Sequence, residues 1–297
     1  MVKEKTIISL VGPTAVGKTA LSIGLANALH TEIVSCDSRQ FYKEISIGTA
    51  KPSPEELTQA KHHFINSHSI HDTFTSGDFE KEGLKLLDKL FSKYDTVILT
   101  GGSGLFEKAL VEGFDQFPPV KEGLREELNL QFENQGLSSL LEDLEKLDPE
   151  TYQIVEKTNH RRVIRSLEIN KTEGKPLSYY KSKKAPRTFK TIRIGLTMDR
   201  EKLYNRINQR VDNMMQEGLL DEVKSLVDFQ HLNTLQTVGY SELFKHLNGD
   251  VSLEDAIGSI KQNTRRYAKR QLTWFRKYDN LIWLEDANLE DLIQFIS

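Results

Sequence analysis

Gly12-Pro13-Thr14-Ala15-Val16-Gly17-Lys18-Thr19 stands directly behind an apolar stretch, Thr6 to Val11, and directly before a helix-patterned one, Ala20 to Leu29. Strand, glycine-rich loop and helix in that order are the setting of a P-loop. The two glycines let the backbone wrap closely around phosphate oxygens, and successive amide N–H groups and the helix N-terminus face the anion. Lys18 adds a point charge, and the Thr19 hydroxyl can hold Mg²⁺. A phosphate-bearing ligand follows from this, while the loop leaves open which phosphate compound it is.

Working outward, the chain alternates strand and helix: strand Thr6–Val11, helix to about Leu29, strand Glu32–Cys36, a loop with Pro52 and Pro54, helix near Asp78–Phe91, strand Thr96–Thr100. That order predicts a P-loop NTPase-like α/β core, a parallel sheet with helices on both faces and ligands at the carboxyl ends of its strands. Between Phe117-Pro118-Pro119 and about Pro186 the pattern changes to helices without clear strands, such as Leu124–Asn134 and Leu137–Leu147. The reading is therefore a core of residues 1–116 and 191–297 interrupted by a helical insertion of residues 117–190. Strand Thr191–Leu196 returns to the core, followed by helices Arg200–Glu217, Leu219–Phe229 and Leu253–Arg276 and a last strand, Leu281–Leu284.

At 297 residues and 38% hydrophobic composition the chain can bury a substantial core. Its apolar runs are strand-sized and the N-terminus enters the P-loop without a cleavable signal, so a soluble cytoplasmic protein is expected. The single cysteine, Cys36, reads as a small buried strand residue.

The formal net charge of −3 conceals segregation. Lys157 to Arg193 holds twelve Lys/Arg against two acids, and Lys261 to Lys277 holds seven against none, so the remainder carries −20. Either run alone could be a solvated face. Two runs interleaved with Tyr179, Tyr180, Tyr267, Trp274 and Phe275 favour a nucleic-acid surface, where cations meet phosphates and rings stack on unpaired bases.

Asp37 follows strand Glu32–Cys36 at the edge where the P-loop opens. It fits a general base acting on a second substrate, a Walker-B-like Mg²⁺ ligand, or a turn residue. Strand Thr96–Thr100 ends in Gly101-Gly102-Ser103-Gly104 rather than in an acid; the glycines permit close approach and Ser103 presents a hydroxyl. His62 and His63, being adjacent, point in different directions and read as structural or surface residues rather than paired metal ligands. Arg206 and Arg210, four apart on one helix face, could clamp a diphosphate or form an exposed ion-paired face.

Taken together, these residues resemble the tRNA dimethylallyltransferases (tRNA isopentenyltransferases). The resemblance rests on GPTAVGKT, Asp37-Ser38-Arg39-Gln40 with Phe41-Tyr42, Ile47-Gly48-Thr49-Ala50-Lys51-Pro52, His62-His63, Gly101 to Leu105, Arg161-Arg162-Val163-Ile164-Arg165, Val238-Gly239-Tyr240 and the run Arg265 to Arg276. It covers nearly the whole chain, and DSxQxY with IGTAKP and RRYAKRQLTWFR are more specific than the P-loop. One departure is Ser103, where the family usually carries threonine. The chain stops soon after its last strand, as bacterial-type members do.

The resemblance implies transfer of a dimethylallyl group from its diphosphate to the exocyclic amino nitrogen of the adenosine immediately 3′ of the anticodon, with Mg²⁺ as cofactor and a monomeric enzyme. It implies catalytic roles for Asp37, Lys18, Thr19 and Ser103, and donor contacts from Gly12 to Thr19 with Arg206 and Arg210. It implies tRNA contacts from Asp37, Ser38, Arg39, Gln40, Ser103, Arg125, Arg161, Arg162, Val163, Ile164, Arg165, Gly239, Tyr240, Lys269, Arg270, Gln271, Thr273, Trp274 and Arg276. The insertion would lie along the anticodon stem. A small-molecule kinase would give no reason for the two basic segments. An adenylate isopentenyltransferase would need neither the insertion nor the basic helix, and an RNA-binding module would not explain the P-loop with Asp37.

Overall fold

The computed structural model describes residues 4–115, 117–180 and 185–296; Lys181, Lys183 and Lys184 of the first basic run lie outside them. The strands are β1 (Thr6–Val11), β2 (Ile33–Ser35), β3 (His62–His63), β4 (Thr96–Gly101), β5 (Lys190–Thr197) and β6 (Leu281–Glu285). The helices are α1 (Lys18–Ala28), α2 (Pro54–Gln59), α3 (Ser76–Phe91), α4 (Gly104–Glu112), α5 (Leu124–Leu147), α6 (Pro149–Ile154), α7 (His160–Glu173), α8 (Arg200–Gln216), α9 (Leu219–Lys224), α10 (Tyr240–Leu247), α11 (Leu253–Phe275) and α12 (Leu289–Ile296).

The strands form one parallel sheet in the order β3-β2-β4-β1-β5-β6. β1 is buried from Ile7 to Val11, as a central strand covered on both faces must be. Its last residue, Val11, pairs with Gly101 on one side and Gly195 on the other, and Ser35 of β2 pairs with Thr100. These registers bring the P-loop, the segment from Asp37 and the Gly101–Ser103 turn to one edge, at the carboxyl ends of the strands. Cys36 is fully buried there, as its position behind a strand implies. Strand β3 carries no sequence signal because it is two residues long. It carries the histidine pair, and His63 Nε2 meets the Glu32 carboxylate at 2.5 Å.

Two compact units result, Met1–Val111 with Arg187–Ser297, and Glu112–Pro186. The break falls earlier at both ends than the expected 117–190. Arg187 belongs with the core because its guanidinium donates to Leu110 O at 2.9 Å, Ala109 O at 2.7 Å and Glu80 Oε1 at 2.6 Å. The expected helix Leu219–Phe229 stops at Lys224 and ends in a separate short turn, Val227–Phe229.

The helical unit has its own apolar centre, where Leu128, Leu140 and Leu144 of α5 meet Val163 and Leu167 of α7, all fully buried. Gly136, at φ +76° and ψ −179°, kinks α5 into the two segments anticipated on either side of it. Val163 is fully buried and Ile164 is 3% exposed, so the apolar pair within Arg161–Arg165 serves this centre and offers no surface to RNA.

Candidate active site

The loop after β1 takes a shape that few other sequences could hold. Gly12 has φ +148°, and a Cβ there would lie 2.6 Å from the Leu196 carbonyl oxygen. Ala15 at φ +66° and Gly17 at φ +107° turn the backbone sharply, and α1, from Lys18, has Gly17 as its N-cap with no side-chain cap. The first N–H groups of α1 are thus left for an anion. Lys18 Nζ donates to Gly12 O at 3.0 Å and Pro13 O at 2.8 Å, which uses two of its three protons.

Thr14, Ala15, Gly17, Lys18 and Thr19 line a cavity of about 490 Å³. From α8, Arg206 and Arg210 enter the same cavity, and Arg210 Nη1 donates to Thr14 Oγ1 at 3.1 Å. Burial, opposed by Asp37 and reinforced by Arg210, pulls the Lys18 pKa down to about 8. Burial and then the neighbouring Arg206 also lower that of Arg210. The arginine pair thus lines a crowded, cationic cavity and does not form an ion-paired outer face, an arrangement compatible with a diphosphate clamp.

Asp37 Oδ1 accepts from Arg39 N at 3.1 Å, so the carboxylate does form the local turn that its type favours. The same carboxylate faces the cavity, and burial raises its pKa. A raised carboxyl is the form in which an aspartate takes a proton effectively near neutrality.

A second cavity, about 470 Å³, opens beyond Asp37 and is lined by Ser38, Arg39, Gly239, Tyr267 and Arg270 among others. Thr14, Asp37, Thr49, Ala50, Arg210 and Met214 line both cavities. Two chambers therefore meet at a carboxylate and a guanidinium. Gln40 belongs to the first chamber, where its Nε2 donates to Thr49 O at 3.2 Å and Ala50 O at 3.0 Å.

Several residues from the basic and glycine-rich motifs support these walls through hydrogen bonds and packing. Ser38 N donates to Ser103 Oγ at 3.0 Å and Ser103 Oγ donates to Ser38 Oγ at 2.9 Å, which ties the turn after β4 to the residue following Asp37. Gln271, 5% exposed, accepts from Thr14 N and donates to Gly102 O, both at 2.8 Å. It braces the P-loop from the wall of the first chamber. Trp274 packs on Gly104, where a Cβ would come within 2.2 Å of the indole. Its Nε1 donates to Tyr278 Oη at 3.2 Å, and Tyr278 Oη donates to the buried Glu107 at 2.9 Å. The indole is thus packed on one side and only partly exposed. Tyr240 is fully buried, and its hydroxyl donates to Glu222 Oε1 at 2.5 Å, so it belongs to the interior and not to a tRNA surface.

In α7 and α5 the arginines meet acids. Arg162 Nη1 donates to Glu156 Oε2 at 2.8 Å, and Arg165 Nη1 and Arg125 Nη2 donate to the buried Glu168 Oε2 at 3.1 and 3.0 Å. Arg161 is exposed, as are Lys269, Arg270 and Thr273 of α11 and Arg276 just after it.

Four contributors are not among the sequence's candidate site residues. Glu222 of α9 accepts from the backbone N–H groups of Ser46, Ile47 and Gly48 at 2.9, 2.9 and 3.1 Å, and so holds the IGTAKP turn against both chambers. Lys51 fixes the same turn through Asn66 Oδ1 at 2.6 Å. Tyr267 lies beside Asp37 and Ser103, and burial raises its phenol pKa. His62 lines the first chamber; its Nδ1 must carry the proton, since it meets a carbonyl oxygen, that of Ala60, at 2.8 Å.

Among the described residues no group of three or more His, Cys, Asp and Glu could hold a metal. Thr19, which carries a hydroxyl, does line the first chamber. That donor set suits a hard cation bound through ligand phosphates and water, as Mg²⁺ is, and no all-protein cage.

A family model described as IPP transferase matches residues 40–278. The tRNA dimethylallyltransferase of Flavobacterium johnsoniae is 50% identical over 300 residues, covering 98% of this chain and 97% of its own. That of Cytophaga hutchinsonii is 48% identical over 294 residues, covering 99% and 97%. Among solved structures, the full-length tRNA isopentenylpyrophosphate transferase from Bacillus halodurans matches with a TM-score of 0.72 and 39% identity, over 99% of this chain and 94% of that one. A eukaryotic dimethylallyltransferase acting on tRNA matches with a TM-score of 0.83 and 28% identity, over 96% and 75%.

Proposed function

The chain belongs to the tRNA dimethylallyltransferases, and from that premise we propose that it transfers a dimethylallyl group from dimethylallyl diphosphate to the exocyclic amino nitrogen of the adenosine immediately 3′ of the anticodon, releasing diphosphate. The observation that supports this pairing of substrates is the wall shared by the two cavities, where Asp37 and Arg210 face both. A donor diphosphate in the P-loop chamber directs its first carbon toward Asp37, and a base entering the second chamber brings its amino group to the same point.

The amino nitrogen lone pair then forms the bond to that carbon while the carbon–oxygen bond breaks and diphosphate leaves with the electron pair. An adenine amino group is a poor nucleophile, so Asp37 takes its proton as the new bond forms. Lys18, the loop amides, Arg206 and Arg210 stabilise the charge that collects on the leaving diphosphate. Mg²⁺, held by the Thr19 hydroxyl and the phosphates, would supply further charge neutralisation there. Ser103 keeps Ser38, and through it the Asp37 turn, in place.

The adenosine must leave the anticodon-loop stack to reach the chamber, at a cost of about a few kcal/mol. Arg39, Arg270 and Tyr267 line its walls and can offset that cost by contacts to phosphate and ring. Exposed Lys269, Arg276 and Arg161 supply attraction to backbone phosphates. A tRNA substrate makes the cytoplasm the place of action, and one chain contains the whole site, so a monomer suffices.

The test is to incubate the protein with labelled dimethylallyl diphosphate, Mg²⁺ and either unmodified tRNA or AMP. Label entering tRNA at that adenosine supports the proposal; label entering AMP alone would transfer the function to free nucleotides.

A further inference from the structure

Helix α8 presents Arg206, Arg210 and Met214 to the first chamber at successive intervals of four residues. Residues so spaced lie along one face, each about 6 Å further along the axis than the last. The first two are cationic and the third is apolar. Thr14, whose hydroxyl receives Arg210, fixes the cationic end of this row at the P-loop. Met214 is the largest apolar side chain on the wall that the two chambers share; the other lining groups there are Thr14, Asp37, Thr49, Ala50 and Arg210. Its body is half-buried against the apolar cluster that includes Val211, Leu235 and Tyr240.

We infer that Met214 is a specificity-determining residue that limits the length of the prenyl chain transferred. The inference rests on the proposed function and deepens it. A diphosphate held by Arg206 and Arg210 sends its hydrocarbon tail along α8 toward Met214, one turn on. A five-carbon prenyl chain spans roughly one such turn at ordinary carbon–carbon bond lengths, and a ten-carbon chain about twice that. The five-carbon tail ends against the thioether, whose soft, unbranched side chain packs closely on a branched dimethyl terminus. A longer tail would have to pass the thioether and enter the second chamber, the space assigned to the adenine. Met214 thereby blocks both the longer donor and its intrusion on the acceptor.

Shortening the side chain should relax that limit. The measurement is transfer to an unmodified anticodon stem-loop from dimethylallyl diphosphate and, separately, from geranyl diphosphate, using the full-length protein and reading product mass. The wild type should use the five-carbon donor and discriminate strongly against the ten-carbon one. Met214→Ala should raise the ratio of ten-carbon to five-carbon transfer at least about tenfold, the scale on which pockets sense missing methylenes. Met214→Val removes less volume and serves if the alanine variant does not fold; it should move the ratio in the same direction by a smaller factor. An unchanged ratio in the folded variant, with five-carbon transfer intact, overturns the inference, as does a wild type that uses both donors equally. A wild type that transfers nothing from the five-carbon donor to RNA overturns the proposed function instead, so the two failures are distinct.

Discussion

Gln271 accepts a hydrogen bond from the backbone N–H of Thr14 at 2.8 Å, so a side chain near the end of the long basic helix α11 fixes the third residue of the P-loop. Its amide nitrogen reaches the other way, to Gly102 O at 2.8 Å, and joins the P-loop to the turn after β4. Gln271→Leu keeps approximate size and removes the partner of both backbone groups, Gly102 O in a buried place and Thr14 N in a partly buried one. The cost should be about 1–3 kcal/mol per unsatisfied group, seen as a lower melting temperature, together with a raised KM for the donor. An unchanged KM in a variant with lowered stability would confine Gln271 to a structural role.

The base carries the second prediction. Asp37→Asn preserves shape and the acceptor to Arg39 N but cannot take a proton, so single-turnover chemistry should slow by about 10²–10⁴ with tRNA affinity nearly unchanged. A normal single-turnover rate would remove Asp37 from proton transfer.

The pH profile follows from two shifts of opposite sign. Burial raises the Asp37 pKa, and the base form is the active one, so kcat/KM should climb with pH through that raised value. Lys18, pulled down to about 8, loses its charge in the empty site as pH rises through that point, and donor binding should weaken above it. Above about 8, binding should also draw a proton from solution, because the diphosphate favours the ammonium; calorimetry in two buffers of different ionisation enthalpy would register it. Lys18→Arg should carry the alkaline limb upward. An alkaline limb that stays in place in Lys18→Arg would assign it to another group.

Which parts were legible in the sequence follows a physical rule. The P-loop, β1 and α1 could be read because each is local: contiguous apolar residues, glycines at fixed offsets, a helix immediately after. Asp37 could be read because a strand's end places it. Glu222 could not, since a carboxylate on a short helix acquires its role only by reaching the amides of residues 46–48, more than 170 positions away in sequence. Strand β3 is too short for periodicity. Tyr240 and Gln271 sit in segments that match the family closely, yet their side chains are buried, and a motif does not report which way a helix faces. The arginines of α7 illustrate the same limit for charge: composition counts cations, while geometry pairs two of them with acids.

Those pairings sharpen the last prediction. Neutralising a cation that contacts RNA phosphate removes about one released counterion, so the slope of log affinity against log salt should flatten by about one. Arg161 is exposed at the start of α7 and gives the direct reading: Arg161→Gln should weaken tRNA binding and flatten the slope, with the donor KM and the melting temperature unchanged. Arg165→Gln is different, because its guanidinium shares the fully buried Glu168 carboxylate with Arg125. Losing one partner of a buried carboxylate destabilises the fold, so this variant should melt earlier whatever it does to RNA. Measured side by side by titration at several salt concentrations and by thermal unfolding, the two variants separate attraction to RNA from support of the helical unit. Equal salt slopes in wild type and Arg161→Gln would make this end of α7 a solvated face, and would leave the exposed cations of α11 to account for tRNA attachment.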